Sequence, residues 1–193
     1  PGVFVALLLE EEVTTIAGFA GRLRDSLTGP TLPPVTDTLT LTVDGETWRL
    51  SGALNALCPA GLVRARYDDL RPGDRLAGWI EHLFLNALRP SGVRPETRWI
   101  ARDGGYRLPP CEDAREWLTV LLRLYRDGWT RPLHFYPRAA WAYVDRHASD
   151  PDQALAAARR VWEVNAQGYG ESLQPAYRLA LRGVEQPLDR DFE

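Results

Sequence analysis

Residues 50–67 read LSGALNALCPAGLVRARY. The stretch reads as two short strands joined by a turn at Pro59-Ala60-Gly61. On the second strand, 62–67, Val63, Ala65 and Tyr67 share one face. Arg64 and Arg66 share the other, because strand side chains alternate. Asn55 stands at the end of the first strand. What these three polar residues can and cannot do decides how the fold is used.

Upstream, TDTLTLTV (36–43) alternates, with Leu39, Leu41 and Val43 on one face. Asp44-Gly45 is a hairpin turn, and ETWRLSGAL (46–54) is the returning strand. Before it, Leu8, Leu9, Val13, Ile16, Ala20, Leu23 and Leu27 recur at helical spacing until Gly29-Pro30 stops the run. Downstream, Asp74 is placed to cap a second helix with the stripe Leu76, Trp79, Ile80, Leu83, Phe84, Ala87 and Leu88. TRWIARDGGYRL (97–108) reads as a hairpin around Asp103-Gly104. A third helix turns Ala114, Trp117, Leu118, Leu121, Leu122 and Tyr125 inward and ends at Gly128. Further helices open at Pro137 and at Ser149-Asp150-Pro151, and PAYRLALRG (175–183) is a last helical segment. The order is helix, three strands, helix, hairpin, helices. It predicts an α/β (α+β) domain in which a mixed sheet is flanked by helices, as one domain over residues 1–193. The seven tryptophans mostly fall on apolar stripes and read as core.

Composition narrows the chemistry. The chain has 193 residues, 45% hydrophobic and 25% charged, enough for a domain with a real core. All 23 basic residues are arginine. Without lysine there is no Walker A loop and no Schiff base. Pro1 and the absence of methionine read as a piece of a longer chain. Cys58 and Cys111 read as buried thiols. With no apolar run near the ~18 residues of a membrane span, the expectation is a cytoplasmic protein. Residues 61–110 carry nine arginines against six acids, a mildly basic middle in a chain of net charge −3.

Helix–β–β–β–helix is the skeleton of the restriction-endonuclease-like (PD-(D/E)XK) nucleases, where strand carboxylates hold Mg²⁺ and a lysine orients water. Here Asn55 stands for the first acid, and Arg64-Ala65-Arg66 stands for acid-x-Lys. An arginine about 4 Å from the metal site repels each unit of cation charge by ~4 kcal/mol at an effective dielectric near 20. The expectation is a catalytically degenerate core with no metal. Asp68 and Asp69, past the strand, read as turn residues. His82 reads as lying on the exposed or flanking side of the second helix, His134 as lying among apolar residues, and His147 as a helix end. None has zinc spacing. Ser51-Gly52 lacks the context of a nucleophile elbow.

The stretches RPGDRLAGWIEHLFLNAL (71–88), DGGYRLPPCEDAREWLTVLLRLYRDGWTRPLHFYP (103–137), RAAWAYV (138–144) and PAYRLALRG (175–183) resemble the C-terminal domains of the RecC (gamma) subunits of exodeoxyribonuclease V, the RecBCD helicase–nuclease. The resemblance implies a nuclease-like fold without catalytic residues. It implies RecB-like and RecD-like partners, contact with a DNA duplex end or fork, and no cofactor in this domain, with ATP and Mg used by the partner subunits. Tyr106 is a candidate to stack on a terminal base pair, with ordinary strand packing as its alternative. Arg64, Arg66, Arg131 and Arg138 are candidates for DNA or partner contact, with surface or capping arginines as the alternative. Two rival readings are an active nuclease with relocated ligands and a protein-interaction domain that never touches DNA.

Overall fold

The computed structural model describes residues 2–184, 186–189 and 192. The chain forms two compact units, one of residues 1–70 and 74–122, the other of residues 71–73 and 123–193.

In the first unit, α1 (Gly2–Ser26) precedes the hairpin β1 (Val35–Val43) and β2 (Glu46–Leu54). Then come β3 (Leu57–Cys58), β4 (Gly61–Arg66), α2 (Pro72–Leu88), β5 (Thr97–Ala101), β6 (Gly104–Leu108) and α3 (Ala114–Asp127), which runs on into the second. The two-residue turn at Asp44-Gly45 joins Val43 to its partner Glu46, with both turn residues at positive φ, as a tight twisted hairpin requires. The architecture is mixed α/β, and the larger sheet is mixed and flanked by helices.

The quoted stretch departs from its sequence reading in one respect. β2 does not join the sheet of β4. It belongs to a separate two-stranded sheet, while the second sheet has the order β3-β4-β5-β6. The cause is local. Ala56 takes φ 58, breaking the chain after Asn55, and Leu57-Cys58 begins a new strand that pairs back on Gly61-Leu62. Gly61 then passes so close to Glu96 that a Cβ would lie 2.2 Å from its carbonyl oxygen. That approach lets the Leu62 amide donate to the Glu96 carbonyl at 2.9 Å and seats β4 parallel to β5.

Strand alternation on β4 follows the expected parity. Val63 packs with Cys58 and Ile100 beneath Phe19 and Leu23 of α1, and Tyr67 meets Phe19 edge-on at 5.3 Å. Leu62 faces the other way, into a core of Leu39, Leu41 and Leu54 from the hairpin, Leu83 and Phe84 from α2, and Leu118 from α3. Among the described residues of α1, the C-terminal half supplies the core contacts, and Leu8, Leu9, Val13 and Ile16 are exposed.

Three expectations need correcting. Asp74 is not the cap of α2; the helix begins at Pro72 and Asp74 lies in its first turn, where a carboxylate meets the positive end of the helix dipole. His82 is not on a flank but fully buried. α2 is covered on two sides, so its polar residues at i and i+4 go inside as well as its leucines. The His82 Nδ1 lies 3.0 Å from the Thr97 hydroxyl of β5. Asn86 donates to the carbonyls of His82 and Pro95 and accepts from the Cys111 amide at 2.8 Å. Finally, three of the seven tryptophans, Trp117, Trp129 and Trp141, are exposed, as is Tyr125 on α3, so Trp117 and Tyr125 do not turn inward.

The second unit is helical, with α4 (Pro137–His147), α5 (Ala154–Trp162) and α6 (Pro175–Ala180). Tyr136 is its centre, packed on Trp162 at 4.3 Å and Tyr177 at 5.3 Å. Tyr136 cannot cap α4 with its own side chain, so Glu171 does so from a distant turn. Its buried carboxylate accepts from the amides of Arg138 at 3.0 Å and Ala139 at 2.7 Å. The His134 Nδ1 lies 2.8 Å from an Asp189 carboxylate oxygen. Among the described residues, no helix is long and apolar enough to cross a membrane.

Two outcomes follow. Glu171→Ala strands two helix amides, one buried and one part-buried, so it lowers stability by about 1–3 kcal/mol, read as a lower urea midpoint. Burial holds the His82 imidazole below its ordinary 6.5, against an opposing hydrogen bond to the Pro109 backbone. The folded state therefore favours neutral His82, and the unfolded chain binds the extra proton. Stability from this group is complete above 6.5 and declines as pH falls below it toward the lowered folded value. The urea midpoint of the wild type falls between pH 7.5 and pH 5, and the His82→Gln variant loses much of that dependence.

Candidate functional site

The face of β4 that carries Arg64 and Arg66 looks onto α2. Gly78 allows the close approach: a Cβ there would lie 2.1 Å from the Tyr106 hydroxyl and 3.0 Å from the Trp99 ring. At this distance two acids of α2, one at each end of the contact, reach the arginines. Glu81 grips Arg64 with both oxygens, Nε to Oε2 at 2.6 Å and Nη2 to Oε1 at 2.9 Å. Asp74 takes the Arg66 guanidinium at 2.6 Å. Asp68 lies 3.8 Å from the same group. The Arg64 and Glu81 side chains keep only 22% and 33% of their exposure, so this forked pair is shielded from screening water.

The other sequence-predicted residues are dispersed. Asn55 is exposed in the break between β2 and β3, on neither strand. Tyr106 on β6 stacks on Trp99 at 6.2 Å, donates to the Asp74 carbonyl at 3.2 Å and lies under the Arg75 guanidinium at 5.4 Å. Burial pushes its hydroxyl up to about 12. Arg131 is exposed, 3.9 Å from Asp127. Arg138 is exposed too, and it is its backbone amide, not its side chain, that meets Glu171. Thus Arg64, Arg66 and Tyr106 meet around α2, and Asn55 does not join them within a strand.

Asp68 and Asp69 sit in the bend after β4 and serve it. The Asp68 carboxylate accepts from the Asp69 amide at 2.8 Å, and Asp69 pairs with Arg102 at 2.8 Å. Ser51 faces Thr38 across the hairpin, hydroxyl to hydroxyl at 2.8 Å. Among the described residues, no three of His, Cys, Asp and Glu converge where a metal ion could sit. The donors on the β4 face do not suit Mg²⁺ either, because the two carboxylates are already committed to guanidinium groups. Both cysteines are free thiols, Cys58 buried and Cys111 half-buried.

Sequence reasoning found the arginines and missed their acids. Glu81 and Asp74 are seven positions apart, two helical turns, so they share a face of α2; that was the available signal. It becomes visible only once β4 is known to lie under that face.

The family model of the RecC C-terminal domain matches residues 1–148, which takes in all six strands and α1 to α4. RecBCD enzyme subunit RecC of Escherichia coli (strain K12) is 33% identical over 99 residues. That stretch is 50% of this chain and 9% of the relative's length. The segment 175–183, which carries part of the sequence resemblance, lies outside the residues that the family matches. On the strength of a match across most of its length, the chain belongs to the RecC C-terminal domain family.

Proposed function

We propose that this chain is a non-catalytic scaffold domain of a RecBCD-type helicase–nuclease, an exodeoxyribonuclease V gamma chain acting in double-strand break repair and recombination. In this reading a restriction-endonuclease-like core serves as a binding surface. It meets RecB-like and RecD-like motor subunits and helps split and guide DNA strands at a duplex end or fork. ATP hydrolysis and its Mg²⁺ belong to the partner subunits; a chain without lysine has no Walker A lysine of its own.

One observation carries the reading. At the strand positions where a nuclease of this class has acid-x-Lys, Arg64 and Arg66 are locked to Glu81 and Asp74. A carboxylate held by a guanidinium at 2.6 Å is a poor metal ligand, and arginine stays protonated and so cannot take a proton from water. The residues that remain bind and position, and do not turn over. A second reading, docking onto protein alone, draws on α1. Leu8, Leu9, Val13 and Ile16 form an exposed apolar stripe at helical spacing there.

The test is direct. The purified chain, incubated with labelled duplex and single-stranded DNA in Mg²⁺ or Mn²⁺, leaves both intact to the level of a no-protein control and hydrolyses no ATP. Metal-dependent cleavage that disappears in Asp68→Ala or Asp69→Ala assigns turnover to the bend after β4 and refutes the proposal.

A further inference from the structure

The opposite face of the four-stranded sheet differs in charge balance. β5 and β6 place Arg98 directly across from Arg107, in register. By alternation they share the face of Ile100, which packs under α1. Like charges set opposite each other on neighbouring strands repel. Glu96 offsets Arg107, with oxygen to Nε at 3.0 Å and to Nη2 at 2.8 Å. It does not balance the region. The hydrogen bond from Arg107 holds the Glu96 carboxyl below its usual range, and the charges of Arg98 and Arg94 add to the effect. Arg98 keeps a buried Nε with no hydrogen-bond partner. A buried donor left unpaired costs the desolvation of that group, so stability alone gives no reason for it.

Arg22 of α1 adds a third guanidinium. It donates to the carbonyls of Ala101 and Arg102, each at 2.9 Å, and so is fixed at the groove between α1 and the β5–β6 hairpin. That groove has a volume of about 540 Å³ and is lined by Arg22, Arg98, Arg107, Asp25 and the glycine pair Gly104-Gly105. Its size lies in the ~300–1,000 Å³ range of organic ligands rather than that of a single ion. Asp25, the acid among these residues, lies 3.7 Å from Arg24. Gly105 leaves a wall of bare backbone, and a Cβ there would strike the Trp99 carbonyl oxygen at 2.2 Å. That space is taken up by β5, and it is at Gly104, where a Cβ would meet nothing within 4 Å, that the groove wall is open to an anionic chain.

We propose that this groove holds the sugar–phosphate backbone of a DNA strand, with Arg98 and Arg107 contacting phosphate and Arg22 setting the positive field. The inference rests on the DNA-guiding part of the proposed function and names the surface that performs it. Phosphate oxygens against the guanidinium groups that line the groove would relieve the Arg98–Arg107 repulsion. Contacts of this kind are sequence-independent and release counterions, so they leave a signature in salt.

The test follows anisotropy of fluorescein-labelled dT20 on the full chain from 50 to 300 mM NaCl. Wild type binds with a falling log–log slope. Changing Arg98→Gln and Arg107→Gln together reduces that slope by roughly 1.4, about 0.7 for each phosphate contact on a single strand. It also weakens binding on the order of tenfold at the low-salt end. Arg98→Gln alone leaves the Arg107–Glu96 pair intact and still reduces the slope by about half as much. If wild type binds and these variants match it, the groove assignment is wrong while the DNA role stands. If wild type does not bind, both fall. An equal loss in Arg178→Gln/Arg182→Gln, on the second unit, makes the effect one of net charge and overturns the assignment. Displacement by poly-glutamate as effectively as by unlabelled dT20 identifies an acidic protein segment as the occupant and overturns it too.

Discussion

The contact between α2 and β4 is what gives the sheet its two unlike faces. It is made by polar groups rather than by an apolar seam. Arg64 and the part-exposed Arg66 on β4 call for acids, because a guanidinium drawn out of water without a partner costs several kcal/mol. Glu81 and Asp74 meet them. Gly78, between the two acids on α2, has no side chain to hold the helix off the sheet, and Trp99 and Tyr106 close over it. Position along the helix is thereby fixed twice, at Asp74 and at Glu81. A slide of one turn would break both pairs.

A second polar set, one turn beyond Gly78, pins the same helix to β5. His82 and Asn86 are buried four residues apart and tie α2 to Thr97, to the Pro95 carbonyl and to the Cys111 amide. These bonds reach the strand after α2 and the loop before α3, so α2 organises the downstream half of the first unit. The leucines between them supply the area-dependent part of stability, and the polar bonds supply direction. Arginine suits this design better than lysine, since the planar fork that holds Glu81 with two bonds has no ammonium equivalent.

How much of this is readable in advance depends on how local each cause is. The Asp44-Gly45 turn, the end of α3 before Gly128 and the parity of Val63 and Tyr67 against Arg64 and Arg66 depend on neighbours within a few residues, and all three are where the sequence puts them. The separation of β1–β2 from the sheet of β4 was hidden, because it turns on a single positive φ at Ala56, a residue type that gives no such signal. The burial of His82 was hidden because a helix packed on two sides has no polar face to read. Of the candidate site, the arginine pair was legible and its acids were not. Pairing across elements requires knowing which strand lies beneath which helix.

The two faces of the sheet therefore use the same residue type differently. Toward α2, arginine is matched by Glu81 and Asp74, and the resulting layer is rigid. Toward α1, Arg98, Arg107 and Arg22 outnumber the acids around them, and one guanidinium nitrogen is buried with nothing to bind. Self-consistent packing removes such imbalances wherever it is free to do so, since acid-for-arginine exchanges at exposed or half-exposed strand positions cost the backbone little. An imbalance confined to one face of a sheet whose other face is neutralised calls for an external anion. It also separates the two uses of the fold: one face is closed by internal ion pairs, and the other stays open to a partner carrying the opposite charge.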